Sequence, residues 1–400
     1  MMKDKAPLHT TLGQISSLIT SGSRGWAEYY SDHGALFLRM TNLPKDGIQL
    51  LFHDKKYVVL PSLSNEGQRT RVKKNDILIS ITAELGKIGF IEDDLGEAYV
   101  NQHVALVRLS SNKVFPKYIA YYLTEAHQRN LWQRLNDAGA KSGLNLQTIN
   151  KYPIYLPRFN DQANIANLLS TWDQFIEKIK QLVAAKEKQY NWILSNLNSN
   201  NKYYYVHIRD FSSEISKRNN GNSIERVLSV TNDRGFVLPE DQFERSVASS
   251  DLSNYKVVTR GQYAYNPSRI NVGSIARLDG WDAGVLSPMY VVFELNEQKV
   301  NSDYFLHWLE SHEAKQRIRK STQGSVRETV SFTAFGAISI PLPSLDKQNS
   351  IVCILNTAQQ EINLIKKQLD AYRRQKRGLM QKLLTGQWRV KEGIILPLPS

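Results

Sequence analysis

The chain has 400 residues, and its 51 Lys+Arg against 38 Asp+Glu leave a net charge of +13 at pH 7. Apolar residues make up 41%, which excludes a disordered chain, and the single cysteine, Cys353, excludes a disulfide framework or a Cys-rich zinc site. No apolar run approaches the ~18 residues that cross a bilayer, and the excess positive charge favours a polyanionic partner, nucleic acid first.

The opening MMKDKAPLHTTLGQ has no apolar core after its lysines, so no secretory leader is expected and the cytoplasm is the expected setting. Short strand-like runs bounded by turn residues follow at 72–80, 86–91 and 103–109, then a helix over 116–135. From Ile165 an apolar spacing of four and three runs to Leu197 through Leu169, Trp172, Ile176, Ile179, Val183, Lys186, Tyr190 and Ile193. That spacing predicts a coiled-coil helix over 161–197, about 55 Å long at 1.5 Å per residue. Asp161 is the expected N-cap, and the polar run 196–202 the expected linker.

The second half repeats the first. Tyr118, Pro157, Gln162, Ile165 and Leu169 recur 186 residues on as Tyr304, Pro343, Gln348, Ile351 and Leu355. With small gaps, Met40-Thr41-Asn42 matches Val230-Thr231-Asn232, and Gly86-Lys87-Ile88 matches Gly273-Ser274-Ile275. Strands are expected at 255–265, 273–278 and 289–295, and a helix at 302–320. A second seam runs Ile351, Leu355, Ala358, Ile362, Ile365, Leu369, Tyr372, Lys376, Leu379, Leu383, with Asp346 as N-cap and Gly386 as C-cap. The fold class is therefore α+β: two duplicated mixed domains, each followed by a long helix. The expected boundaries are 1–157, 158–200, 201–343, 344–386 and a tail at 387–400. If the helices run antiparallel with centres aligned, Trp172 faces Lys376, Lys186 faces Ile362 and Tyr190 faces Ala358. Trp172 over Lys376 would add a cation–π contact of about 0.5–2 kcal/mol.

Catalytic motifs are missing from the sequence: no phosphate-binding Gly-rich loop with Lys-Ser/Thr, no His-Glu-x-x-His, no paired Cys-x-x-Cys. Asn266-Pro267-Ser268-Arg269 departs from the adenine-methyltransferase motif at its third and fourth positions, and reads as a strand-end turn. Basic and amide side chains instead gather at strand and loop edges. In the first copy these are Thr41, Asn42, Lys45, Lys73, Lys74, Lys87, Asn101, Lys141 and Ser142. In the second they are Thr231, Asn232, Arg234, Arg260, Asn266, Arg269, Asn271, Ser274, Arg277, Gln323, Ser325 and Arg327. Lys and Arg supply phosphate contacts, Arg forks read guanine, and Asn or Gln read adenine. A solvated surface role competes at each position. The run Tyr372–Arg377 has three readings: a solvated face, a partner-subunit contact or DNA backbone.

With these strings in place the chain resembles the specificity subunit of type I restriction–modification enzymes over nearly its whole length. The similarity rests on Leu12-Gly13-Gln14-Ile15 with Thr20–Ser23, and on Ser142-Gly143-Leu144 leading to Ile154–Pro157 and Asp161-Gln162. It continues through Tyr265-Asn266-Pro267, Gln323-Gly324-Ser325, Ile340–Pro343 with Lys347-Gln348, and the ending Gln375–Gly386. Lys347 stands where the family often has an acid. The resemblance implies two target recognition domains, each reading one half of an asymmetric bipartite site in double-stranded DNA, with the two helices antiparallel as a ruler between them. It also implies two modification (methyltransferase) subunits as partners, restriction/translocase subunits joining them, and no membrane. Catalytic residues, metal and cofactors are expected to be absent from this chain, with S-adenosylmethionine, ATP and Mg on the partners only. On the residues alone, two alternatives stay open: a stand-alone sequence-specific DNA-binding protein, and a single-chain DNA methyltransferase with built-in recognition domains.

Overall fold

The computed structural model describes residues 8–61, 65–110, 113–135, 143–198, 203–239, 251–322 and 329–390. Two 40-residue helices, Phe159–Asn198 and Leu345–Leu384, dominate the secondary structure. The chain divides into two units, one of residues 1–180 with 367–400 and the other of 181–366. Each unit holds one globular part, part of the long helix that follows it, and part of the other long helix.

Unit 1 is built on an antiparallel sheet ordered Ser16–Ser21, Val104–Leu109, Ile77–Ser80, Ile88–Phe90. Ile77, Leu78 and Ile79 are all buried, as a strand covered on both faces requires. A second sheet joins Tyr30–Ser31, Tyr57–Val58, Ala35–Leu38 and Ala98–Val100, the last pair parallel. Leu8–Thr11 pairs with Pro153–Leu156 and leads the chain into the first long helix. The core around Tyr118, Trp132 and Tyr152 takes in Ile165, Leu169, Met380, Leu383 and Leu384, so both long helices contribute to it.

Unit 2 repeats the first sheet as Ser212–Ile215, Val291–Leu295, Tyr263–Tyr265, Ile275–Arg277. Its ribbon is Tyr205–His207 with Ser339–Pro341. In place of the four-stranded second sheet it has the hairpin Ser229–Thr231/Gly235–Val237 and the pair Lys256–Thr259/Ala283–Leu286. The run expected as one strand at 255–265 is thus two strands, parted by a turn at Gly261 (φ +85°).

Each helix expected after the sheet is also two helices: Pro116–Thr124 and Ala126–Arg134, Ser302–Glu310 and His312–Thr322. The breaks fall at Glu125 and Ser311, again 186 apart, both with extended backbone. Glu125 caps the second helix by accepting from the His127 N–H at 2.8 Å, and Ser311 Oγ accepts from the Ala314 N–H at 3.1 Å. The long helices begin at Phe159 and Leu345, so Asp161 and Asp346 lie in the first turn rather than at the cap. There they still complement the helix dipole. Gly386 (φ +74°) ends the second helix, its N–H donating to Leu383 O at 3.2 Å. A Cβ there would stand 3.0 Å from the Tyr155 hydroxyl, so both conformation and space favour glycine.

Of the seam residues, Ile165, Leu169, Ile176, Val183, Tyr190, Ile351, Leu355, Ile362, Leu369 and Leu383 are buried, while Trp172, Ile179, Ile365 and Leu379 are half-buried. Near the end of the first helix Leu194 is buried in place of Ile193, the drift expected when a straight 3.6-residue helix leaves a 3.5-residue repeat. In unit 1, Asp173 pairs with Lys376 and Phe175 packs on Tyr372, so the segments run antiparallel. In unit 2, Lys186 pairs with Glu361 and Glu187 with Lys366, both at 2.7 Å. The expected stacking of Trp172 on Lys376 is corrected. The Lys376 ammonium binds Asp173 and lies 5.4 Å from the Tyr121 ring centroid, while Trp172 packs edge-on against Phe175 and Tyr372. A carboxylate one residue further along the helix outcompetes an indole face for a cation that is mostly withdrawn from water.

Candidate nucleic-acid interface

In unit 1 a short 3-10 turn, Met40–Asn42, holds the loop that follows it. Asn42 is 2% exposed; its Nδ2 donates to Leu51 O (2.8 Å) and Asp54 O (3.3 Å), and its Oδ1 accepts from the Arg39 N–H (2.9 Å). Arg39 donates to the Asp54 carbonyl and carboxylate at 3.0 and 2.7 Å. Asn42 therefore shapes the loop at 51–56 and has no free edge for a base, which corrects its assignment as a reader. Asn101 is corrected on the same ground: it is buried, with Oδ1 accepting from the His103 N–H at 3.1 Å. Thr41 and Lys45 are exposed beside them. Lys73 and Lys74 are exposed on a turn whose Asp76 accepts from the Lys73 N–H at 2.6 Å.

Lys45 and Lys87 come together. Burial pushes the Lys87 ammonium below its ordinary pKa, and the like charge of Lys45 pushes it further, although Glu84 pairs with it. Two cations that repel one another, one of them held by a carboxylate, suit a phosphate group, which would relieve their repulsion.

In unit 2 the hairpin tip presents Asn232 and Arg234 to solvent, while Thr231 is buried. The Thr231 hydroxyl donates to Gly235 O and accepts from the Arg234 N–H, both at 3.1 Å, fixing the turn. Ser274, also buried, donates to Val230 O at 2.7 Å and ties the hairpin to the neighbouring turn. That turn starts at Asn266, whose side chain accepts from the Ser268 N–H at 3.0 Å, and whose carbonyl accepts from the Arg269 N–H at 2.9 Å. Thr231 and Ser274 are therefore fasteners rather than readers. They gather exposed Asn232, Arg234 and Arg269 with half-buried Asn266 and Asn271 into one cluster.

Arg277 is also corrected. It pairs with Asp279 (2.8 Å) and Asp303 (2.7 Å) and donates to Ser302 Oγ at 3.0 Å. Burial works against its charge, yet these hydrogen bonds and carboxylates raise its pKa above the usual guanidinium value. Breaking that network to reach DNA would leave two acids uncompensated. Arg260 holds Asp282 at 2.9 Å in an exposed pair, which solvent screens and DNA can displace. Lys141, Ser142, Gln323, Ser325 and Arg327 lie outside the described residues.

Sequence reasoning passed over two features. The first is the exposed loop at 51–56; at the offset that relates Asn42 to Asn232, its counterpart falls outside the described residues. The second is the anchoring role of the two glutamines that open the long helices, whose recurrence alone the sequence shows. Gln162 and Gln348 are buried and make the same three hydrogen bonds: Oε1 accepts from Phe115 or Asn301 N–H (2.9, 2.7 Å), and Nε2 donates to Lys113 or Lys299 O (3.3, 3.3 Å) and to Pro157 or Pro343 O (2.9, 2.8 Å). Their shared 186 spacing carried the signal for that role. Among the described residues no cluster of three or more His, Cys, Asp or Glu could hold a metal, and no helix is long and apolar enough to cross a membrane.

Comparison with known proteins places these features in a family context. A family profile described as "Type I restriction modification DNA specificity domain" matches residues 53–188 and 254–371. A Methanocaldococcus jannaschii protein named as the MjaX type I restriction enzyme specificity subunit is 25% identical over 344 residues, 79% of either chain. The EcoBI specificity subunit of Escherichia coli is 23% identical over 229 residues, 53% of this chain and 44% of that one. Among solved structures, the S subunit of a type I restriction–modification system from M. genitalium aligns over 96% of this chain and 97% of its own, with a TM-score of 0.56 at 14% identity. A chain from a structure of type I system assembly and conformational transition aligns over 95% and 98%, with a TM-score of 0.60 at 13% identity. At such identities the structural likeness speaks for the fold.

Proposed function

Since the chain belongs to the family of type I restriction modification DNA specificity domains, we propose that its two units read the two unlike halves of one split, asymmetric DNA site. It is a non-catalytic subunit that recognises DNA sequence within a type I restriction–modification complex, together with methyltransferase and restriction partners. One observation carries the finer reading. The two units share a sheet order and a helix-start anchor, while among the described residues the strands outside that frame are arranged differently. A reader with true two-fold symmetry reads a palindrome; equivalent frames with unlike loops read unlike words.

In this reading exposed Lys45, Lys73, Lys74, Arg234 and Arg269 hold phosphates, and the amides and arginines beside them meet base edges. Two modification subunits join the chain and bring S-adenosylmethionine, restriction subunits bring ATP and Mg, and the assembly works in the cytoplasm. The paired long helices set the distance between the half-sites. Seven residues inserted into both helices, keeping the seam in phase, should lengthen the unread spacer in a methylation assay with the partner subunit. An unchanged spacer would contradict the helices' part in the reading.

A further inference from the structure

The second sheet of unit 1 carries an open groove of about 440 Å3 lined by Phe52, Lys55, Tyr57, Leu95 and Glu97 among others. None of these five residues was marked by the sequence as a reader. The loop at 51–56 is exposed throughout, with Phe52 at 39%, yet its backbone is fixed from within by Asn42 and Arg39, and the Phe37 N–H donates to Lys56 O at 2.8 Å. Holding an exposed phenylalanine and lysine on a fastened backbone suits recognition, because little ordering entropy remains to be lost on binding.

The chemistry of the groove is specific. The Tyr99 hydroxyl donates to Glu97 Oε1. Burial, then the hydrogen bond and charge of Glu97, push that hydroxyl up to about 12, so it stays protonated and one carboxylate oxygen stays engaged. Among the described residues Glu97 Oε2 has no other side-chain partner. Lys55 lies 5.9 Å from the Phe52 ring centroid, and no carboxylate of the described residues neutralises it. The groove thus offers one acceptor and one cationic donor on an aromatic floor. In the major groove a C·G pair presents the cytosine N4 amino donor beside the guanine O6 and N7 acceptors, the complement of that set.

We infer that Glu97 and Lys55 read a C·G base pair in the half-site of unit 1, the carboxylate taking the cytosine amino group and the ammonium the guanine edge. This rests on the split-site reading above and names a specificity determinant within it. The test uses the full chain assembled with its modification subunit, on a library of sites varied at every position. Glu97→Gln keeps an acceptor for Tyr99 and replaces the free acceptor by a donor. It should relax discrimination at one C·G position about tenfold, within the range that one mismatched pair costs. The other half-site and the spacer should stay as they were. Lys55→Gln, on the exposed loop, should relax the same position. The inference is overturned if neither variant changes any position, if the unit 1 half-site holds no C·G pair, or if methylation falls uniformly over all sites, as loss of a phosphate contact would cause. Failure of the wild-type complex to methylate any split site would instead overturn the split-site reading itself.

Discussion

The start of each long helix and the place where its partner helix passes are built by opposite rules. At the start, Gln162 and Gln348 make three hydrogen bonds apiece whose lengths agree within about 0.2 Å. Further along, equivalent positions carry different chemistry. Lys376 in unit 1 meets Asp173 and Tyr121; Tyr190 in unit 2, its counterpart by the 186 offset, meets His307 and Glu310 at 2.8 Å. Lys117 pairs with Glu92 and bonds Ser170, whereas Asp303 pairs with Arg277 and bonds Asn356, so the charges are inverted. Asp76 holds Arg108 at 2.7 Å, whereas Gln262 donates to Glu294 at 3.2 Å. A polar group that is even partly withdrawn from water needs a partner, but which pair satisfies it is free to change when both members change together. The anchor glutamine bonds only to backbone, whose chemistry does not vary, and so has no such freedom.

That contrast can be broken by mutation. Lys376→Met should show the largest effect: Asp173 loses its cation in a site where Lys376 is 8% exposed and Asp173 28%. We expect unit 1 to lose about 2–3 kcal/mol, below the ~3–5 of a fully buried pair because Asp173 keeps some water. Adding Asp173→Asn should recover most of it, as read by thermal unfolding. Equal losses in the single and double variants would show that the pair is not coupled. Gln162→Ala and Gln348→Ala should each cost about 1–3 kcal/mol by orphaning a backbone N–H, and by similar amounts. A marked inequality would break the claim that the anchors are the same.

The Tyr190 position sharpens the comparison with a smaller effect. Tyr190→Phe removes the hydroxyl between His307 and Glu310, and about 1 kcal/mol should be lost from unit 2. No loss would mean that water satisfies these groups equally well. The smallest effect concerns pH. Burial acts to raise the Asp303 pKa, but Arg277 outweighs it and holds the carboxyl below its ordinary 3.8. A depressed acid stabilises the fold above its unfolded pKa, and that contribution fades as pH falls below about 4. Asp303→Asn should therefore lessen the stability that unit 2 loses on acidification through this range, and unchanged acid sensitivity would count against the Arg277 pair as its source.

Much of this organisation was legible in the chain. The 186 offset located both frames, and the four-and-three spacing located both long helices, because a helix writes its packing into local periodicity. Burial of single polar residues was not legible in the same way. Asn42, Asn101, Thr231 and Ser274 have the composition of exposed loop residues. Their hydrogen bonds go to backbone groups brought close by the fold, such as Asp54 O or Val230 O, which no local pattern announces. The breaks at Glu125 and Ser311 escaped because apolar periodicity continues across them, and only the capping bonds reveal the change of direction. Strand order was hidden for a similar reason: the pairing of Ser16–Ser21 with Val104–Leu109 spans most of unit 1's globular part.

The central claim is that two unlike readers on one chain address one interrupted word. Mapping methylated bases genome-wide in cells that carry this chain with its modification subunit tests it most directly. The account predicts two different short half-sites parted by a fixed run of unread bases. A contiguous or palindromic methylated word would contradict it.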